Sequence, residues 1–347
     1  MHEVLSDIQR WLNQGEAVAL ATVISTWGSA PRAVGAKMAL AAGAKIAGSV
    51  SGGCVEGAVY EAGLQAIESN KPALLHFGVA DETAFSVGLA CGGSIEVFVR
   101  QLDPALFETI LTEIQAGQAA AIVTALSGPP GVPGREMLCL AENRSSGSLG
   151  ASLDGIAREL ARERLEQGLS GSVTVSEVGG DPVRLFIDVI SPPPVLVMVG
   201  GVHIAVSLAA LAKTLGYTTV VIDPRRAFGS QERFPHVDRL IQAWPDEAFQ
   251  QVPLRRSTAI AILTHDPKID DPALKIALIS PAFYIGVLGS RQTHEKRIQR
   301  LLTDGVPQAQ LDRLHAPIGL ELGEETPEEI ALAILAEIVA TRHGHKT

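Results

Sequence analysis

Three rhythms of apolar and polar positions follow one another along the chain. In the first thirteen residues Val4, Leu5, Ile8, Trp11 and Leu12 share one helical face, which predicts an amphipathic opening helix. The apolar run 17–24 reads as a strand, helical spacing resumes over 55–67, and 95–99 reads as another strand. Asp103-Pro104 marks a helix start, because Asp caps free N–H groups and proline at the first helical position loses nothing. Between about 102 and 190 the rhythm weakens. A strand at 119–126, a Pro/Gly turn at 127–134, a helix over 153–167 and a strand at 184–189 are expected there. Ser191-Pro192-Pro193-Pro194 then stiffens the chain into extended geometry and marks a domain boundary.

Beyond the prolines strand and helix alternate strictly. Strands are expected at 195–199, 218–222, 239–243, 258–263 and 284–288, with helices over 204–215 and 272–279 and from Arg291 to near Asp304. Thr326-Pro327-Glu328-Glu329 is a capping box that opens the last helix. Such alternation predicts a parallel sheet with helices on both faces. The fold class is therefore α/β, a C-terminal Rossmann-like doubly wound sheet over 191–347 plus an N-terminal α/β domain with a mixed sheet over 1–190. The latter divides into subregions 1–100 and 101–190. No internal repeat shows in the sequence.

Composition narrows the function classes. The 347 residues are 46% hydrophobic, 19% charged and 4% aromatic, which suits buried parallel strands rather than disorder. A net charge of −10, with no basic block interleaved with aromatics, argues against nucleic acid as a partner. Three cysteines, Cys54, Cys91 and Cys139, argue for a reducing, cytoplasmic setting and against a disulfide framework. The amphipathic start lacks the layout of a signal peptide. The apolar stretch 195–212 is split by Gly200-Gly201 and His203 into strand, turn and helix, so no membrane span is expected.

Val199-Gly200-Gly201-Val202-His203-Ile204-Ala205 is a strand, glycine turn and helix in the dinucleotide-binding position. A helix N-terminus there offers N–H groups and a partial positive charge to phosphate. Asp223 follows Gly200 by 23 residues (223 − 200), where an acid would hydrogen-bond a ribose. Val202 stands where the fingerprint has its second glycine, which opposes close approach of a pyrophosphate. His203 is a donor to a phosphate or a pterin carbonyl, or a polar cap of the turn. Two further turns, at His265-Asp266 and Ser290-Arg291, fall at the same carboxyl edge and either face the ligand or cap helices.

The N-terminal half offers thiols on glycine loops. Cys54 follows Ser51-Gly52-Gly53 at a helix start, which stabilises thiolate, while Glu56 in the first turn opposes it. Cys91 precedes Gly92-Gly93. Cys54 and Cys91 are candidate contacts for a metal or a sulfur-bearing ligand, or small buried residues; Cys139 reads as core. Arg32, after Gly-Ser-Ala-Pro, is a candidate anion contact. No Cys-x-x-Cys or His-Glu-x-x-His pattern is present, so a structural zinc site or zincin is not expected.

These motifs resemble those of the xanthine dehydrogenase accessory factor family, XdhC/CoxI. The matching stretches are 28–32 (GSAPR), 48–56 (GSVSGGCVE), 91–93 (CGG), 223–225 (DPR), 263–267 (LTHDP), 284–291 (YIGVLGSR) with Thr293-His294, Ile318-Gly319, 326–330 (TPEEI) and 336–339 (AEIV). The family usually reads Gly-Ala-Gly-His where this chain has Gly200-Gly201-Val202-His203.

The resemblance implies a chaperone of molybdenum cofactor, as molybdopterin or its dinucleotide form. Such a protein shields the cofactor while a cysteine desulfurase supplies its terminal sulfur, then delivers it to a xanthine dehydrogenase-type molybdenum hydroxylase. It implies that Arg32, Ser51, Gly52, Gly53, Cys54, Cys91, Gly92, Gly200, Gly201, His203, Asp223, His265, Asp266, Ser290 and Arg291 face the cofactor, with no catalytic residue and a possible homodimer. The alternative is an oxidoreductase that uses the Rossmann-like domain to bind NAD(P).

Overall fold

The computed structural model of the chain describes residues 1–29, 32–78, 93–140, 143–175, 182–323 and 325–345. They form two compact units, Met1–Pro192 and Pro193–Thr347, which meet in sequence at the proline run.

In the first unit, helix α1 (His2–Asn13) buries Val4, Ile8 and Trp11. Strands β1 (Val18–Trp27), β2 (Lys37–Ala41) and β3 (Lys45–Gly48), helix α2 (Glu56–Ser69) and strands β4 (Ala73–Phe77) and β5 (Ser94–Gln101) follow. Their sheet has the order β3-β2-β1-β5-β4. Helix α3 (Pro104–Gln115) starts as expected, with the Asp103 side chain accepting from the N–H of Ala105 at 2.8 Å. Strands β6 (Ala120–Ser127), β7 (Glu136–Leu140) and β8 (Ser145–Gly147), helix α4 (Asp154–Gln167) and strands β9 (Gly171–Val175) and β10 (Val183–Ile190) complete the unit. They form a sheet of order β8-β7-β6-β10-β9. The α/β character is as expected, but the described ladders of both sheets are antiparallel rather than mixed.

The two halves of this unit repeat one architecture: helix, three strands, helix, two strands, with the same strand order. The repetition extends to single residues. Thr22 lies opposite Lys37 and Phe98, and Thr124 lies opposite Glu136 and Phe186. Gly48 and Gly147 both have positive φ, and a Cβ on either would meet the carbonyl oxygen of Lys37 or Glu136 at 2.3 or 2.5 Å. No side chain but hydrogen fits there, so both hairpins end in glycine. The halves contact one another reciprocally. Lys37 pairs with Asp188 at 2.5 Å, and in the mirrored positions Glu136 pairs with Arg100 at 2.7 Å. Glu96 and Arg184, which also occupy equivalent positions, form a bidentate pair with each other. Ile24, Phe98, Leu126 and Phe186 share a small core between the sheets. The expectation of no repeat is thereby corrected at the level of structure.

The second unit follows the predicted alternation. Strands β11 (Val195–Val199), β12 (Thr218–Ile222), β13 (Arg239–Ile241), β14 (Thr258–Ile262), β15 (Tyr284–Val287) and β16 (Leu314–His315) form a fully parallel sheet of order β13-β12-β11-β14-β15-β16. Renumbered from its own first strand this order is 3-2-1-4-5-6, the Rossmann arrangement. Helices α5 (His203–Thr214) and α10 (Pro327–Arg342) cover one face. Helices α7 (Pro267–Ile279) and α8 (Arg291–Thr303) cover the other, while the short α6 (Pro245–Ala248) and α9 (Gln308–Leu311) serve as connectors. Helix α7 begins five residues before the expected 272–279. Asp266 caps it, Pro267 takes the first helical position, and Pro272 is accommodated inside. The capping box at Thr326 and Glu329 is present. No helix among the described residues is long and apolar enough to cross a membrane.

Candidate functional site

The loop between β3 and α2 closes around a carboxylate of its own chain. Glu56 Oε1 accepts from the N–H groups of Ser51 (2.9 Å) and Gly52 (3.0 Å) and from Ser49 Oγ (2.6 Å). Its Oε2 accepts from Gly53 N–H (2.9 Å) and Ser51 Oγ (2.6 Å). Burial works against this charge, but the Ser49 and Ser51 hydroxyls and the loop amides outweigh it and pull the carboxyl down to about 2. Ser51 Oγ also accepts from the N–H groups of Cys54 and Val55 at 3.0 Å each. The amides of Ser51, Gly52 and Gly53, expected to face a ligand, thus hold Glu56, and the exposed residues of the loop are Gly52 and Gly53. The half-buried, unbridged thiol of Cys54 rests beside the core formed by Val50, Val55 and Val59. Gly52 and Gly53 both have positive φ, which lets the loop turn its N–H groups inward.

The equivalent loop between β8 and α4 is built the same way. Asp154 Oδ1 accepts from Leu149 N–H (2.7 Å) and Gly150 N–H (3.2 Å), and Ser148 Oγ bonds its other oxygen at 2.8 Å. Glu56 and Asp154 are each the first residue of their helix. Two positions before that residue stands Cys54 in one loop and an exposed Ser152 in the other.

Arg32, another N-terminal candidate, is half-buried, and its guanidinium pairs with Glu3. Cys91 and Gly92 lie outside the described residues. Cys139 is buried core, as expected, and burial pushes its thiol up to about 11. Among the described residues no group of three or more His, Cys, Asp or Glu could hold a metal ion.

In the second unit the glycine turn joins β11 to α5 at the strand-order reversal between β11 and β14. Gly200 has φ +112°, and a Cβ there would lie 2.5 Å from Thr264 Cγ2. A Cβ on Gly201 would lie 2.3 Å from the Phe228 carbonyl oxygen. Both glycines therefore serve close packing of the turn against its neighbours. Asp223, at the end of β12, is fully buried and turned inward. It accepts from Gly201 N–H at 2.7 Å and from the Arg225 backbone N–H, Nε and Nη2 at 2.9, 2.9 and 2.8 Å. Burial pushes its carboxyl up, but the Arg225 hydrogen bonds outweigh that and hold it below its usual range. The ribose role expected of Asp223 is thus met from within the protein. Arg225 stacks over Phe228, its guanidinium carbon 4.2 Å from the ring centroid.

The remaining candidates stand on the same carboxyl rim. No side chain caps α5, whose first residue, His203, is exposed with Nε2 3.7 Å from Glu328 Oε1. His265 is exposed in the left-handed region at φ +63°, a conformation uncommon for a non-glycine residue. Asp266 and Ser290 are helix caps, accepting from the N–H groups of Lys268 (3.0 Å) and Thr293 (3.2 Å). Arg291 is exposed in the first turn of α8. Sequence reasoning passes over Glu56 as a cap, Arg225 and Thr264. Only Arg225 carries a signal, two residues after Asp223 in the Asp-Pro-Arg motif.

Residues 196–338 match the XdhC Rossmann domain, and residues 11–78 match the XdhC and CoxI family. A Bacillus subtilis (strain 168) protein, named as a probable subunit of xanthine dehydrogenase, is 29% identical over 95% of this chain and 94% of its own length. The Escherichia coli (strain K12) molybdenum cofactor insertion chaperone PaoD is 26% identical over 95% of this chain and 85% of its own. The fold is shared with a crystal structure from Bacillus halodurans described as a xanthine dehydrogenase, at a TM-score of 0.77 and 24% identity over 99% of this chain and 96% of that one. Matched at both ends, over the cysteine loop and over the Rossmann sheet alike, the chain belongs to the XdhC and CoxI family.

Proposed function

We propose that the chain is a maturation factor that binds molybdenum cofactor, shields it while a cysteine desulfurase supplies its terminal sulfur, and delivers it to a xanthine dehydrogenase-type molybdenum hydroxylase. The likeness to PaoD, along nearly the whole chain, supports a cofactor insertion role. The observation that carries the reading is the pair of repeated loops. Both hold a carboxylate with loop amides and a serine hydroxyl, and of the two only the first adds a cysteine, the half-buried Cys54, two positions before that carboxylate. The carboxylate cage is common to both and so is architecture; the thiol is the difference. Cys54 is the contact for the cofactor or its sulfur. Taken by itself, the Rossmann unit offers the uncapped start of α5, with His203, and the rim residues His265 and Arg291 as candidate phosphate contacts. The nicotinamide alternative is disfavoured by Asp223, whose oxygens are held by Gly201 and Arg225 where a ribose diol would need one.

The test is binding of isolated molybdenum cofactor to the full-length protein and to Cys54→Ala. Wild type is expected to take up one equivalent and the variant to lose binding while keeping its fold. A host carrying Cys54→Ala should accumulate its hydroxylase in a desulfo, inactive form. Equal cofactor binding by both proteins, with a fully sulfurated hydroxylase, overturns the proposal.

A further inference from the structure

Among the described residues six buried side-chain nitrogen or oxygen atoms have no hydrogen-bond partner, and three of them lie on one face of α8: His294 Nδ1, Arg297 Nε and Arg297 Nη1. Buried polar groups are almost always paired, so such a cluster asks for a missing partner. The Arg297 side chain is 2% exposed. Helical side chains lean toward the helix N-terminus, which carries this guanidinium from the second turn back beneath the Gly289-Ser290-Arg291 turn. There Nη2 donates to the Leu288 carbonyl at 3.1 Å and would lie 3.6 Å from a Cβ built on Gly289.

The nearby carboxylates do not neutralise it well. Asp270 Oδ2 forms a long, buried ion pair with Nη2 at 3.6 Å, and Asp270 Oδ1 is held by the Thr264 hydroxyl at 2.5 Å. Burial pushes the Asp270 carboxyl up, against the pull of the Thr264 hydrogen bond and of the Arg297 charge. Asp271 is engaged by Arg300 through two hydrogen bonds of 2.8 and 3.0 Å. A guanidinium keeps its charge in any protein environment, so Arg297 is a buried cation whose one direct ion pair is long and leaves Nε and Nη1 without a hydrogen-bond partner.

We propose that the start of α8, with Arg297 beneath it and His294 beside it, is an oxyanion site that takes a phosphoryl group. At the start of this thirteen-residue helix the N–H groups of Arg291 and Gln292, which the Ser290 cap does not take, supply one set of donors. The guanidinium of Arg297, with Nε and Nη1 unengaged, supplies the charge and a second set of donors. His294 Nδ1, on the same face, is a third donor in its Nδ1–H tautomer. The site lies at the carboxyl end of β15, on the rim where Rossmann folds gather ligands. The phosphoryl group is either free phosphate or the phosphate of a larger ligand, and the recognition chemistry is the same for both. The inference does not rest on the molybdenum reading, since phosphate alone is the probe.

The experiment uses the full chain. Inorganic phosphate, pyrophosphate and 5′-AMP are titrated calorimetrically, and thermal midpoints are compared in phosphate and in chloride at equal ionic strength. Wild type is expected to bind one phosphate per chain and to melt higher in phosphate. Tighter binding of 5′-AMP than of phosphate would assign the site to a larger phosphorylated ligand, and equal binding to the free ion. Arg297→Met should bind phosphate at least tenfold more weakly, lose the phosphate-dependent rise in midpoint, and be no less stable than wild type in chloride. Arg297→Lys, which keeps the charge but not the fork, should bind several-fold more weakly and serves if the Met variant does not fold. The proposal is overturned if wild type shows no saturable phosphate binding, or if both variants bind phosphate as wild type does. It also falls if Arg297→Met is destabilised equally in both buffers while its phosphate response persists, since Arg297 is then only the structural partner of Asp270. None of these outcomes bears on the Cys54 comparison.

Discussion

Glu56 shows how much one side chain's direction decides. In sequence it is an acid near Cys54, and its charge alone suggests opposition to a thiolate. In the fold it is the centre of its loop, with two hydroxyls and several amides converging on it. Hydrogen bonds to a charged acceptor are worth more than neutral ones, so Glu56→Gln should lower stability by about 2 kcal/mol. The pH dependence has a definite sign. The folded carboxyl titrates at about 2, below its ordinary 4.5, so its contribution is complete above pH 4.5 and fades as pH falls through about 2. Urea midpoints of wild type and Glu56→Gln, followed downward from neutral pH, should therefore converge in that window; curves that stay parallel would show that the cage contributes through its shape and not its charge. Asp223 teaches the same point. Its place at the end of the second Rossmann strand is legible from spacing, but its partner is not, because Arg225 competes locally for the oxygens that a ribose would need.

Elements with a strong period or a strong cap are readable, and those without are not. The buried strands β11, β12 and β14 are short runs of Val, Ile, Leu, Ala, Met and Thr bounded by turns, and their ends are visible to within a residue. The start of α7 is hidden because Pro272 looks like a first helical residue. Asp266-Pro267 is a better start, and the helix absorbs the second proline in its second turn. The exposed β8 and the hairpin strand β3, with alternating exposure, leave too little apolar pattern to detect. The β11–α5 turn carries the element-scale prediction. Its glycines look like a phosphate cradle in sequence, yet a methyl group on Gly201 would collide with the backbone of Phe228. Gly201→Ala should cost about 3 kcal/mol, at the upper end of overpacking penalties, because a backbone carbonyl cannot move aside as a side-chain tip can. Thermal unfolding measures this. An unchanged midpoint would mean that the turn yields easily and that its glycines are kept for ligand access.

At the scale of the first unit, the repeat escapes the sequence for a physical reason: the equivalent positions carry opposite charges. Lys37 matches Glu136, Arg100 matches Asp188 and Glu96 matches Arg184, so a scan for self-similarity meets inversion at the very residues that hold the halves together. Two identical halves would set like charges against each other at Glu96 and Arg184. Inversion turns each of those contacts into an attraction and disfavours pairing of either half with its own copy. Lys37 and Asp188 are almost fully enclosed, with side chains 1% and 9% exposed. Removing one member of such a pair strands the other charge, so Lys37→Met should cost about 3–5 kcal/mol. The double variant Lys37→Met with Asp188→Leu should recover most of that, because two apolar side chains of similar size leave nothing buried and unpaired. Urea unfolding of the two single variants and the double variant gives the coupling directly. Additive losses would show that the pair does not join the halves. A large favourable coupling, repeated at Arg100 and Glu136, would establish that charge inversion is what makes two like halves into one unit.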